Sequence, residues 1–262
     1  MKKIVAFLLV VVMCLSLVAC GSGSESKEES EKEIKREIIS VSTLIADLDN
    51  LARAEQNVGK ATHLFGTISS IGTDAFTLSH LFIGKSFSIP MDTAVLAELN
   101  KGDYIAVYAV VDEINSGNFI FKDCKQIEME LMDEYVVNQV STVSTEALIK
   151  THNDTVVEYI MSRGDTFKMT GDDEIASYIL GKWYQPYPMG LSGTYIARVE
   201  YFANGECIWQ SWDEYFNEWD DAYCDWSVKD GILNGNNYYG TAVYKITSNA
   251  MVTGGELLIR AQ

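Results

Sequence analysis

The spacing of apolar positions along the chain shows where one kind of element gives way to the next. A continuous apolar run, Ile4 to Val12 and on to Ala19, follows Lys2 and Lys3. After Cys20, the stretch GSGSESKEESEKEIKRE has no apolar periodicity until Ile38, and so polar a segment cannot offset the entropy of ordering its backbone. Leu44, Ile45, Leu48 and Leu51 then recur at spacings of three and four, one face of a helix, with Ser42 as its N-cap and Gly59 as its stop. Alternation takes over in KATHLFGTISSI, AFTLS and KSFSIPM, which read as strands. DTAVLAELN reads as a short helix opened by Asp92. DYIAVYAVVDEI and NFIFKDCKQIEM read as two more strands, joined by the turn Asn115-Ser116-Gly117-Asn118.

Residues 132–174 read as a partly helical linker. STEALIKTHNDTVVEYIMSRG has a helical pattern with Ser144 or Thr145 as cap and Gly164 as stop, interrupted by polar Thr151-His152-Asn153-Asp154. Thr170-Gly171-Asp172-Asp173 then opens the helix EIASYIL, as a capping hydroxyl followed by acids does. From about 175 to 262 the chain returns to strands, with hairpin turns at Asn204-Gly205 and Asp230-Gly231.

Within that last region, WQSWDEYFNEWDDAYCDW (209–226) holds four of the five tryptophans and six carboxylates. Trp209, Trp212, Phe216, Trp219, Tyr223 and Trp226 follow a three-four spacing, with the acids off that seam, which is the pattern of an amphipathic helix. Aromatic residues favour strands, however, and the flanking turns belong to hairpins, so the expected arrangement is strand, short irregular or helical excursion, strand. Packing accounts for most of these rings, since each aromatic buries on the order of 150–250 Å². The sharper alternative makes Trp209, Trp212, Trp219 and Trp226, flanked by Glu214 and Glu218, a groove for a sugar, a peptide or a cation.

An apolar share of 47% suffices for real cores. The formal charge of −17 repels phosphates over most of the surface, which disfavours nucleic acid as a partner. No Gly-x-Ser-x-Gly elbow, His-Glu-x-x-His or Cys-x-x-Cys occurs, and His63, His80 and His152 lie far apart. The chain is therefore read as non-catalytic, with no cofactor and no metal site. A pair of acids from Glu214, Glu218 and Asp220 leaves open a hydrolase acting on cell-wall carbohydrate. A structural spacer without a small ligand is the third possibility.

The two lysines, the apolar run and Leu17-Val18-Ala19-Cys20 form a secretory signal, and it resembles the bacterial lipoprotein type. The resemblance implies removal of residues 1–19 and a diacylglycerol on the sulfur of Cys20, with 20–37 as a polar tether. The protein would then sit at the extracytoplasmic face of the cell membrane, held by that lipid and facing an unknown protein or envelope component. With Cys14 removed and Cys20 modified, Cys124, Cys207 and Cys224 remain. Cys207 and Cys224 are candidates for a disulfide across adjacent strands, or all three are buried small hydrophobes. Cys124 lies in an alternating strand and is expected to be buried.

Three strands, a helix and two strands is the element order of the OB-fold. The stretch NLARAEQNVGKATHLFGTISSIG resembles the tRNA-anticodon-binding-like OB domains of bacterial lipoproteins, over about 38–131. The basic groove that holds single strands in such folds is missing: Arg53, Lys60, Lys85, Lys101, Lys122 and Lys125 are outnumbered by acids, so the domain reads as a scaffold or protein-contact module. A short helix running into Gly181-Lys182-Trp183 resembles the opening of lipocalin-like domains, where Gly-x-Trp lies near the barrel floor, and the likeness extends over about 175–262. The expected fold is mainly β: a five-stranded OB barrel and a second small antiparallel barrel of six or so strands, joined by a partly helical linker.

Overall fold

The computed structural model describes residues 35–142, 153–189, 193–213, 218–235 and 238–261. Arg36 onward forms a single unit. The leader, residues 20–34 of the expected tether, and Ser144 and Thr145 lie outside the described residues. The end of that tether is not free: Arg36 Nη2 donates to Asp123 at 3.1 Å, and the Glu37 carbonyl accepts from the Ala61 amide at 2.9 Å.

The first helix, α1 (Val41–Asp47), is capped by Ser40, whose hydroxyl accepts from the Thr43 amide at 3.1 Å. Ser42, the expected cap, lies inside the first turn because Val41 and Leu44 must both be buried. A second short helix, α2 (Leu51–Glu55), follows, and Gly59 leaves the helical region at φ +86°. Strands β1 (Ala61–Ile71), β2 (Ala75–His80) and β3 (Ser86–Pro90), helix α3 (Thr93–Leu96), and strands β4 (Tyr104–Asn115) and β5 (Asn118–Gln126) make an antiparallel sheet in the order β3-β2-β1-β4-β5. β3 also lies beside β5, which gives the partly open, OB-like barrel that the element order implied. Ser116 (φ 50°) and Gly117 (φ 76°) form the β4–β5 turn.

Alternate residues of these strands fill the first core. Leu64, Ile68, Phe76, Leu78, Ile89, Ile105 and Val107 are fully buried, with Leu44 and Leu96 closing over them from the helices. Gly66 is dictated by close approach: a Cβ there would lie 2.0 Å from the Ser79 carbonyl oxygen. His80 ends β2 at 5% exposure, and burial lowers its pKa to about 4. Its Nδ1 accepts from the Phe82 amide at 3.2 Å. Cys124 is half-buried, and burial together with Asp123 pushes its thiol up to about 12.

The segment expected to be a linker is a packed layer. Helices α4 (Met129–Thr142), α5 (Asn153–Ser162) and α6 (Gly164–Phe167) carry Met132, Val136, Val156, Tyr159, Ile160 and Phe167 into one buried cluster. That cluster also contains Phe65, Leu81 and Ala106 of the OB-like part and Ile246, Ala250, Val252 and Leu257 of the C-terminal part. At its edge Asp133, 7% exposed, accepts from Tyr159 Oη at 2.6 Å and from Arg163 Nη2 and Nε at 2.7 and 3.1 Å. This bidentate pair with a third donor satisfies the buried carboxylate. Among the described residues no helix is long and apolar enough to cross a membrane.

Helix α7 (Asp172–Ile179) begins at Gly171 without a side-chain cap bond. Thr170 does not cap it, and the Asp172 carboxylate instead accepts from the Gly231 and Asp230 amides at 2.7 and 3.1 Å, tying the helix to a barrel turn. Then follow β6 (Gly181–Met189), β7 (Gly193–Tyr201), β8 (Glu206–Asp213), β9 (Glu218–Lys229), β10 (Ile232–Gly235), β11 (Tyr238–Thr247), β12 (Ala250–Thr253) and β13 (Glu256–Arg260). They close as an antiparallel barrel, β10-β11-β12-β13-β6-β7-β8-β9. The expected six or so strands are therefore eight. The chain economises by making β10 and β12 only four residues long.

Replacing Asp133 by Ala leaves Arg163 and Tyr159 without their acceptor inside the interlayer. Loss of one partner of such a pair costs about 3 kcal/mol, so urea unfolding should show a correspondingly lower midpoint. An unchanged midpoint would mean the triad does not hold the layer.

Candidate functional site

The barrel differs sharply between its two ends. Each strand contributes to one inner cluster: Trp183, Val199, Cys207, Cys224, Leu233, Val243, Met251 and Leu258 are all buried. Ile175 and Ile179 of α7 join them from below. Gly181-Lys182-Trp183 opens β6 at this closed end, with Trp183 in the inner cluster. Trp183 Nε1 donates to the Ile179 carbonyl at 2.7 Å, and the Arg260 guanidinium lies 4.2 Å over the indole while donating to the carbonyls of Tyr178, Leu180 and Ser248. Helix, indole and guanidinium together seal one end.

Toward the other end the inner positions turn polar and wet. Directly paired residues of an antiparallel ladder share a face, so the pairs Cys207–Cys224, Trp209–Ala222 and Ser211–Asp220 run up the inner wall in sequence. On the opposite wall Met251–Leu258 is followed by Thr253–Glu256. Ala222, Asp220 and Glu218 are solvent-exposed although they hold inward register positions, which means that solvent enters this part of the lumen. An eight-stranded barrel has room for side chains or for one small ligand.

Two hydrogen-bonding groups there lack protein partners among the described residues. Thr253 is 7% exposed and its hydroxyl is buried and unpartnered; the indole N–H of Trp209 is buried and unpartnered as well. β8 and β12 lie four strands apart in a ring of eight, on facing walls. Glu256 stands beside Thr253 in the ladder, and burial raises its pKa, partly opposed by a hydrogen bond with Gln185 and reinforced by the charge of Asp154.

The aromatic seam read at helical spacing is divided by strand geometry. Both segments are strand, and residues 214–217, which include Glu214 and any excursion between the strands, lie outside the described residues. Trp209 and Trp226 pack against the inner cluster, and Trp226 Nε1 donates to the Phe202 carbonyl at 3.0 Å. Trp212 and Trp219 are register partners on the outer face, edge to face at 5.4 Å, with the Arg198 guanidinium 3.8 Å over Trp219. The four indoles therefore do not form one surface, and of them only Trp209 borders the upper lumen. Glu218 is exposed at the start of β9. Cys207 and Cys224 are joined as a disulfide across the β8–β9 ladder, Cα atoms 4.9 Å apart.

Thr253, Glu256 and Gln185 escaped the sequence reading because they are isolated polar residues in unrelated strands. Only barrel closure makes them neighbours. Among the described residues no three His, Cys, Asp or Glu side chains are grouped to hold a metal ion. Comparison with protein-family models, with curated proteins and with solved structures returns no match.

The disulfide spans 17 residues, a loop whose closure is worth about 3 kcal/mol. The double variant Cys207→Ala/Cys224→Ala should lose about that much unfolding free energy in guanidinium titrations, and an unaltered value would show that the bond does not contribute to barrel stability.

Proposed function

We propose that this chain is a non-catalytic, lipid-anchored binding protein at the extracytoplasmic face of the cell membrane, and that it takes a small polar ligand into the upper lumen of its barrel. The OB-like sheet and the helical layer act as the stand that presents the barrel. One observation carries the binding reading: in a lumen open to solvent, the Thr253 hydroxyl and the Trp209 indole N–H are buried without partners on facing walls. Buried polar groups in native folds are nearly always hydrogen-bonded, and a ligand that displaces the side chains covering them and offers acceptors to both would satisfy them. Glu256, held toward its neutral form by burial, would supply a third contact as donor or acceptor.

The location is supported by the leader ending at Cys20 and by the Cys207–Cys224 disulfide, a bond that persists in oxidising compartments and is rare where thiols are kept reduced. The acidic body would be repelled by an anionic lipid surface, so the lipid on Cys20 would act as the attachment.

Two experiments test this reading. Cys20→Ser should leave the leader uncleaved and the chain without diacylglycerol, read by mass spectrometry as retention of residues 1–19 and absence of the lipid; a variant whose leader is removed and which is retained on the membrane like the parent would remove the anchor. Thr253→Val replaces an unpartnered buried hydroxyl by a methyl group of the same shape. It should raise unfolding free energy by about 1 kcal/mol, because the desolvation penalty disappears. A loss of stability instead would show that the hydroxyl is satisfied within the fold and would withdraw the observation on which the lumen rests.

A further inference from the structure

The outer face of β7, β8 and β9, on the other side of the barrel wall from the lumen, repeats one arrangement. In the ladder row Arg198–Gln210–Asp221, the Arg198 guanidinium stacks 3.8 Å over Trp219, its Nε donates to the Gln210 side-chain oxygen, and Gln210 Nε2 donates to Asp221 at 2.5 Å. Aromatic ring, guanidinium and carboxylate are thus linked on this face. Toward the barrel floor the next outward pairs are Ile208–Tyr223 and Glu206–Asp225. Here ring and carboxylates recur, and Tyr223 is 74% exposed. Among the described residues no Arg or Lys lies over the Tyr223 ring.

These side chains line a groove of about 560 Å³ together with Phe202 and Asn204. Its walls are preorganised. Asn204 Oδ1 accepts from the Glu206 amide at 3.1 Å, Asn204 Nδ2 donates to Glu206 Oε2 at 2.7 Å, and the Trp226 amide donates to the Gly205 carbonyl at 2.7 Å. Behind the groove the Cys207–Cys224 bond clamps the two strands. A rigid platform loses little entropy on binding. The chemistry it offers is an exposed phenol face beside a carboxylate, in a protein of formal charge −17, which complements a planar cation able to stack and to donate hydrogen bonds to that carboxylate.

We propose that the groove beside Tyr223 docks an arginine side chain from a basic segment of an extracytoplasmic partner protein. The guanidinium stacks on Tyr223 as Arg198 does on Trp219, its N–H groups donate to Glu206, and Ile208 and Phe202 cover its aliphatic stem.

The test titrates acetyl-tetra-arginine amide into the oxidised mature chain and follows backbone amides by NMR. The largest shifts are expected at Glu206, Ile208 and Tyr223. Tyr223→Ala should weaken binding about three- to fivefold, the range of an exposed cation–π contact, while Tyr223→Phe retains it. Glu206→Gln should weaken it by a comparable factor, Asp74→Asn on the OB-like sheet should leave it unchanged, and tetra-lysine should bind more weakly than tetra-arginine. Shifts spread over the acidic surface, equal affinity in Tyr223→Ala, or equal affinity for tetra-lysine would each overturn the assignment. None of these outcomes depends on whether the lumen holds a ligand.

Discussion

The burial of one helical layer between two β structures is the constraint on which the rest of this molecule depends. The OB-like sheet leaves Phe65, Leu81 and Ala106 pointing away from its own core, and the barrel leaves Ile246, Ala250, Val252 and Leu257 on its outer wall. Neither set can remain in water without loss of the hydrophobic free energy that drives folding. Helices α4 and α5 cover both with the same side chains, so the two β parts share a core. The Asp133–Tyr159–Arg163 triad then fixes α4 against α5 at the layer's edge.

That layer also frees the opposite wall of the barrel. β11, β12 and β13 are occupied by the helices, whereas the outer face of β7, β8 and β9 carries Arg198, Trp212, Trp219 and Tyr223, with ionic and aromatic contacts made along the sheet. The closed floor under Trp183 assigns the two ends of the lumen in a similar way. Helix α7 and Arg260 complete the apolar packing at one end, and polar inward positions accumulate at the other. At the level of the disulfide the interior is filled by the apolar side chains of eight converging strands, and two residues higher the inward positions carry Thr253, Trp209 and Glu256.

Much of the architecture is legible in the chain. The alternation from Ala61 to Gln126, broken by one short helix, was enough to identify an OB-like order, and the turns at Asn115-Ser116-Gly117-Asn118 and Asp230-Gly231 mark their hairpins. The stretch 209–226 misled because spacings of three and four include both odd and even steps. On a strand an odd step crosses the sheet, so Trp209 and Trp226 went inward and Trp212, Trp219 and Tyr223 outward. Residues 132–174 read as a connection because their apolar positions are interrupted by polar ones, and local pattern does not reveal that two sheets wait to be covered.

The sequence alone determined the local elements, the turn positions, the acidic surface and the possibility of a Cys207–Cys224 bond, because these follow from side-chain periodicity, from backbone preferences and from charge, all of which act over a few residues or need no geometry. The tertiary structure decided the strand count, the shared helical core, which indoles face inward, and the meeting of Thr253, Glu256, Gln185 and Trp209 around one lumen. Those depend on ring closure, which brings residues far apart in sequence to facing walls and is set by the sum of many weak contacts, so no single segment carries a record of it.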